Sequence, residues 1–235
     1  MGWAKLKRAR YTFDFNYLRS VSLRTFLYSA YLTLKYVDEF DVFPTFQFRG
    51  RFKVKFEKDK SAQLIVKDRI ILERWRDKRN TTLITLMKDA KVLVGGQFIL
   101  GDGIKIFVRD GAQLSIKGRK NESGSGITGN STVMVNESLE IGHDCIIAWD
   151  TYITDCDWHQ IEGKPHTSPT KLHDKVWLGV GVKVLKGVEL HEGCIVTSNS
   201  VVVRGEYPAK SMLTGLPAKV VKENIPDWHR EMGQN

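Results

Sequence analysis

The sequence predicts an all-β chain, a parallel β-helix of triangular coils with a cap region before it and a short tail after it. Three observations predict this. Aliphatic residues recur at every sixth position over two long runs, and compact residues follow most of them four positions later. Upstream, the stretch VLVGGQFILGDGIKIFVRDGAQLSIKG (92–118) is a series of short apolar segments broken by glycine.

The C-terminal run is the stricter one. Leu172, Leu178, Val184, Leu190, Val196 and Val202 are spaced by six, and Val176, Val182, Val188, Cys194, Ser200 and Glu206 sit four residues after each. The first five of these are small or β-branched, and Glu206 marks where the repeat runs out. Val135, Ile141, Ile147 and Ile153 keep the same spacing upstream, with Leu139, Cys145, Thr151 and Asp157 at the fourth following position. A period of six fits neither a helix, at about 3.6 residues per turn, nor a continuous two-sided strand. It fits short strands with a corner every sixth residue. Three sides make a coil of 18 residues, stacked coils pair through ladders about 4.8 Å apart, and each coil buries its inner face only against its neighbours.

Texture divides the chain into three. Residues 1–60 form a basic, aromatic cap region, residues 61–225 the repeat domain, and residues 226–235 a tail for which a helix is one option. Within the cap, the spacing of Leu23, Phe26, Leu27, Ala30, Tyr31 and Leu34 predicts one face of a helix, packed on the repeats or laid on a membrane surface. The net charge of +9 is concentrated here: residues 1–60 carry 13 Lys and Arg against 6 Asp and Glu. That block suits anionic lipid or a phosphate-bearing acceptor, or is a solvated surface. No recognition motif accompanies it, so nucleic acid is not an expected partner.

Three cysteines, Cys145, Cys156 and Cys194, are odd in number and widely spaced, which argues against a disulfide framework and for a reducing compartment. Cys145 and Cys194 occupy repeat positions that call for a small core residue. The N-terminal sequence shows no signal peptide, and the longest apolar-leaning run, Phe26–Leu34, is far short of the ~20 residues of a membrane span. The expected location is cytoplasmic, with peripheral contact at the inner face of a membrane as an option for residues 1–60.

With these residues in view, the segments IGHDCIIAWDTYITDCDWHQI (141–161) and LHDKVWLGVGVKVLKGVELHEGCIVTSNSVVVRGEYPAKSMLTGLPAKVVKENI (172–225) resemble the hexapeptide-repeat acyltransferases, most of all the bacterial sugar and polysaccharide O-acetyltransferases. The motifs that carry the likeness are D-x-D-x-H leaving the repeat, V-W-L-G resuming it, and G-x-P-A-K-V-V-K closing it. The resemblance implies a left-handed coil, a homotrimer, acetyl-CoA as co-substrate with no metal, and a glycan acceptor. It also implies His159 as general base. A neutral imidazole can take the proton of an acceptor hydroxyl as the oxygen attacks the thioester, and return it to the departing thiolate, for roughly 10²–10⁴-fold. Asp157, or else Asp155, would hold the other ring nitrogen.

Other roles also follow from the likeness. Trp177 lines the acyl pocket, or is an aromatic corner that supports the coil. Val180 and Ser198 match contacts along the pantetheine arm, and Arg204, Lys219 and Lys222 match basic positions for the CoA phosphates. Two residues depart from the family pattern: His173 stands at a usual glycine and Ser198 at a usual alanine. The loop GKPHTSP (163–169) is expected near His159, where it would select the acceptor.

Two other chemistries share such a scaffold. A γ-type carbonic anhydrase needs three histidines converging on zinc, and the expected H-x₄-H spacing is absent. N-acetylation of a nucleotide-linked amino sugar is usually accompanied by an N-terminal βαβ unit with a glycine-rich turn, which residues 1–60 do not show. A non-catalytic scaffold is the third alternative, and the D-x-D-x-H motif argues against it.

Overall fold

The computed structural model describes residues 11–74, 80–120 and 122–230. Short strands in it stack into three parallel faces. The first runs from Phe46–Arg49 through Ile146–Ile147, Trp177–Leu178 and Ile195–Val196 to Met212–Gly215. The second runs from Lys53–Lys58 through Tyr152–Thr154 and Lys183–Val184 to Val201–Val202. The third runs from Glu39–Phe40 through Thr170–Leu172 and Val188–Leu190 to Gly205–Tyr207.

The period of six maps directly onto this geometry. Leu172, Leu178, Val184, Leu190, Val196 and Val202 all point into the axis and are fully buried, as are Val176, Val182, Val188 and Cys194. Between each such pair the chain turns through a left-handed backbone conformation, at Lys175 (φ 55°), Gly181 (71°), Gly187 (70°), Gly193 (72°) and Asn199 (62°). The corner explains the compact residue that follows it, because a larger side chain there would strike the inner column. Lys171 pairs with Glu189, and Lys183 with Val201, each one 18-residue coil apart.

Nearer the N-terminus the coils are longer, which is why the six-residue register is loose there. Gln63 pairs with Lys91, 28 residues on, and Lys91 with Gln113, 22 residues on. The coils also begin earlier than the boundary at residue 60. Strands Glu39–Phe40, Phe46–Arg49 and Lys53–Lys58 already belong to the three faces. The aromatic texture of this stretch is the filling of the first coils, where Phe40, Phe46, Phe48 and Phe56 pack inside.

What remains of the cap is a pair of helices, Phe15–Ser20 and Leu23–Tyr36, N-capped by Asp14 and Ser22. The second helix forms where the spacing predicts, and Phe26, Ala30 and Leu34 of the predicted face pack against the core, but the buried stripe is rotated away from the other three. Leu23, Leu27 and Tyr31 are exposed, and Ser29, Leu32 and Thr33 are buried. The reason is polar. The end of the coil stack presents backbone N–H groups that need partners. Thr33 Oγ1 accepts from the Thr45 N–H (3.0 Å), and Tyr17 Oη accepts from the Phe48 N–H (2.8 Å) while bonded to Ser29 Oγ (2.8 Å).

At the other end, strand Ala218–Lys222 folds back antiparallel on Met212–Gly215. The tail over its described part, 226–230, is not helical and runs back across the corners. Asp227 pairs with Lys210 (2.9 Å), Trp228 Nε1 donates to Lys175 O (2.9 Å), and Arg230 Nε donates to Asp144 Oδ1 (2.7 Å).

Candidate active site

One coil is interrupted. Glu140 pairs with Lys171 at a separation of 31 residues, 13 more than a regular coil, and the surplus is an excursion between Tyr152–Thr154 and Thr170–Leu172. Its two limbs pair as a short antiparallel stem. The Asp157 N–H donates to His166 O (2.8 Å), the Ser168 N–H donates to Asp155 O (2.9 Å), and Cys156 bridges Thr167.

Asp155 sits at the root of the stem, fully buried, and faces the coil below. Its carboxylate accepts three backbone N–H bonds, from Asn136 (2.8 Å), Glu137 (2.7 Å) and Ser138 (2.7 Å). Burial pushes this carboxyl above its ordinary range, and the three bonds oppose that shift. Asp157, two residues on, is exposed. Its Oδ2 lies 2.5 Å from Lys186 Nζ, which also donates to Pro165 O (2.6 Å). Lys186 therefore joins the outgoing and returning limbs.

Trp158 takes a left-handed conformation (φ 63°), uncommon for so bulky a residue. Its ring packs 5.9 Å from Phe107 and 5.7 Å from the Arg109 guanidinium. With Trp158 folded back on the stack, the next residue, His159, is exposed on the excursion. No hydrogen bond joins the His159 ring to Asp155 or Asp157 among the described residues. The two aspartates expected to hold the ring are occupied elsewhere in this chain: Asp155 by the 136–138 turn and Asp157 by Lys186.

The remaining predicted residues fall at three places. Trp177 stands on the first face, 40% exposed, with its ring 5.9 Å from Trp228 of the tail. Val180 and Ser198 stack one coil apart at the corner between the first and second faces, where Val180 O accepts from the Asn199 N–H (2.8 Å). Gly179 permits the close approach there, since a Cβ on it would lie 2.7 Å from the Ser198 nitrogen. Arg204 stacks one coil beyond Lys186 at the corner between the second and third faces, beside the root of the excursion. Lys219 and Lys222 lie exposed on the closing antiparallel strand. A cavity of about 630 Å³ opens at the opposite end of the stack, lined by Asp14, Tyr17, Gln47, Phe48, Arg49 and Arg69 among others, and it contains none of the predicted site residues.

The three thiols are not poised for nucleophilic chemistry. All are buried, and burial pushes Cys145 up to about 12 and raises Cys156 and Cys194.

Lys186, Trp228 and Arg230 are contacts that sequence reading does not find. Asp157 and Lys186 are 29 positions apart, with an irregular loop between them. The 18-residue coil period does align Lys186 with Arg204, and that alignment is the one available signal.

Comparison with known proteins agrees with this architecture. No family model matches the chain. An acetyltransferase of Mycobacterium tuberculosis, described as probable, is 31% identical over 168 residues, covering 61% of this chain and 55% of its own. A protein of Escherichia coli that carries the name lipopolysaccharide biosynthesis O-acetyl transferase WbbJ is 36% identical over 101 residues, 37% of this chain and 51% of its own. The chain thus spans about half the length of these curated relatives. Among solved structures, the polysialic acid O-acetyltransferase OatWY superposes with a TM-score of 0.50 at 21% identity, covering 83% of this chain and 92% of that one. In its stacked parallel coils and in the names of its relatives, the chain resembles the hexapeptide-repeat acyltransferases. Among these, the likeness runs to proteins named as acetyltransferases, O-acetyltransferases among them.

Proposed function

We propose that the chain moves an acetyl group from acetyl-CoA to a hydroxyl of a bacterial surface glycan or its precursor, with His159 as general base. The observation that carries this reading is the interruption of an otherwise regular stack at D155-C-D-W-H159, which lifts one imidazole clear of the coil on a braced stem. The names of the relatives, lipopolysaccharide and polysialic acid O-acetyltransferases, support an acceptor of the same kind.

In the reaction, a His159 ring nitrogen takes the acceptor hydroxyl proton while that oxygen attacks the thioester carbonyl. Collapse of the tetrahedral intermediate releases the CoA thiolate, and the imidazolium returns the proton to it. Asp157 acts through Lys186 as a positioning residue that holds the stem. Val180 and Ser198 supply the corner along which the pantetheine arm lies. Arg204, Lys219 and Lys222 meet the phosphates, and Trp177 borders the acyl group. These groups lie at separate corners of one chain, which favours a homotrimer in which the excursion of one copy faces a corner of the next. The basic, aromatic N-terminal helices are read as a peripheral contact at the inner face of the membrane, with the enzyme in the cytoplasm.

The test is turnover of acetyl-CoA against free, nucleotide-linked and polymeric glycans, with the product analysed for ester or amide. Ester formation on a glycan supports the reading. Amide formation on a nucleotide-linked amino sugar replaces it with N-acetylation, and no transfer to any acceptor overturns it.

A further inference from the structure

On the third face, at the end farthest from the excursion, two histidines fall one coil apart. Strand Thr170–Leu172 is followed by His173, and strand Val188–Leu190 by His191. The ladder fixes both backbones: the His173 N–H donates to Leu190 O (2.9 Å) and the His191 N–H donates to Tyr207 O (3.1 Å). Their rings stack with centroids 4.6 Å apart and 17° between planes. Glu189 closes the group, with Oε1 2.7 Å from His173 Nε2, and Glu206 Oε1 lies 2.7 Å from His191 Nε2. One ligand atom from each of His173, Glu189 and His191 falls within 4.8 Å of the others, and all three residues are half-buried.

We propose that His173, Glu189 and His191 bind a divalent transition-metal ion, with Zn²⁺ the best match. Two imidazole nitrogens and one carboxylate are a donor set that zinc takes with ligand bonds of about 2.0–2.2 Å, leaving a fourth position for water or for the more exposed Glu206. The scaffold supplies what surface clusters usually lack, since adjacent coils of a rigid ladder hold the side chains at a fixed spacing. Tetrahedral ligand bonds of this length hold donors about 3.4 Å apart, so binding opens the 2.7 Å His173–Glu189 pair slightly and draws the farther donors in, through rotation of the Glu189 side chain and the two rings. Lys171 Nζ, 3.6 Å from Glu189 Oε1, is the competing cation, and Glu140 Oε1 at 4.0 Å is its alternative partner. The bound ion would clamp the strand on which the His159 excursion returns, because His173 directly follows Leu172.

Without metal, the same residues form a ladder of side-chain hydrogen bonds, each worth about 0.5–1.5 kcal/mol. The experiment separates the two and needs no turnover, so its outcome is independent of the acetyl-transfer reading. Metal-stripped full-length protein is titrated with Zn²⁺ by calorimetry, and with Co²⁺ followed by its visible absorption. The expected result is saturation at one equivalent per chain, with a Co²⁺ spectrum of low coordination number. Affinity should fall about tenfold or more in His173→Ala and in His191→Ala, and stay unchanged in the control His229→Ala. Glu189→Gln keeps the shape of the side chain and should also weaken binding, which guards against loss through misfolding. Absence of saturable uptake, or equal uptake in the His173→Ala/His191→Ala double variant, overturns the site.

Discussion

Lys186 Nζ lies 2.5 Å from Asp157 Oδ2 and 2.6 Å from Pro165 O, bracing both limbs of the excursion on which His159 is displayed. The pair is partly exposed, so its contribution to global stability is about 1 kcal/mol or less. Its consequence is local. Lys186→Met should leave thermal unfolding nearly unchanged but raise amide hydrogen exchange over residues 156–167. It should lower kcat about tenfold with little change in the KM for acetyl-CoA. Lys186→Arg should restore most of the loss. An unaltered kcat in Lys186→Met would remove the brace from the mechanism.

Among the described residues His159 makes no hydrogen bond that holds the fold, so its removal tests chemistry. His159→Ala is expected to reduce acetyl transfer by about 10²–10⁴-fold, with an unchanged melting temperature and circular dichroism spectrum. Steady-state kinetics against a responsive glycan measure this.

Asp155 should behave in the opposite way. Its truncation to Ala strands three part-buried N–H donors, at up to about 1–3 kcal/mol each before relaxation. Asp155→Ala is therefore expected to lower unfolding free energy by about 3 kcal/mol or more, and Asp155→Asn, which keeps one acceptor oxygen, by less. Urea denaturation of the purified variants decides it, and a shift below about 1 kcal/mol would contradict the assignment.

The N-terminal helices should loosen in acid. Burial tends to raise the Asp14 carboxyl, but bonds from the Tyr17 N–H, the Gln47 amide and Arg69 outweigh it and hold the group below its ordinary range. A depressed carboxyl stabilises the folded state above its unfolded pKa, and that stability is lost as pH falls through the folded value. Between about pH 5 and pH 2, melting temperature should fall more steeply in the parent than in Asp14→Asn, whose curve lacks this component. Superimposable slopes would show that Asp14 is not coupled to unfolding.

The regular coils were readable because each inward position is set by a hard constraint. Leu172 through Val202 must fill one axis, and the residue after each corner must be compact, small or β-branched. The sequence therefore carries the period openly. The first coils were not readable as coils, because their lengths vary between partners and aromatic residues fill them; residues 39–58 read as cap for that reason. The helix Leu23–Tyr36 was visible in its spacing, and its packed face in part, through Phe26, Ala30 and Leu34. The rotation of the stripe is set by hydroxyls of Ser29 and Thr33 meeting the end of the stack, and apolar periodicity is blind to such bonds. At the candidate site, the motif located His159 and the loop. The partners of Asp155 and Asp157 came from coils distant in sequence, and only the register of the stack brings Asn136 or Lys186 beside them.

The antiparallel strand Ala218–Lys222 has a further consequence. A pile of self-similar rungs presents, at its last rung, a template on which any like molecule could continue the pile. Reversing the final strand ends that template on the first face, and Lys219 and Lys222 leave the new border positively charged and solvated. On that face the reversal opposes end-to-end growth into fibres, the hazard built into a repeating geometry.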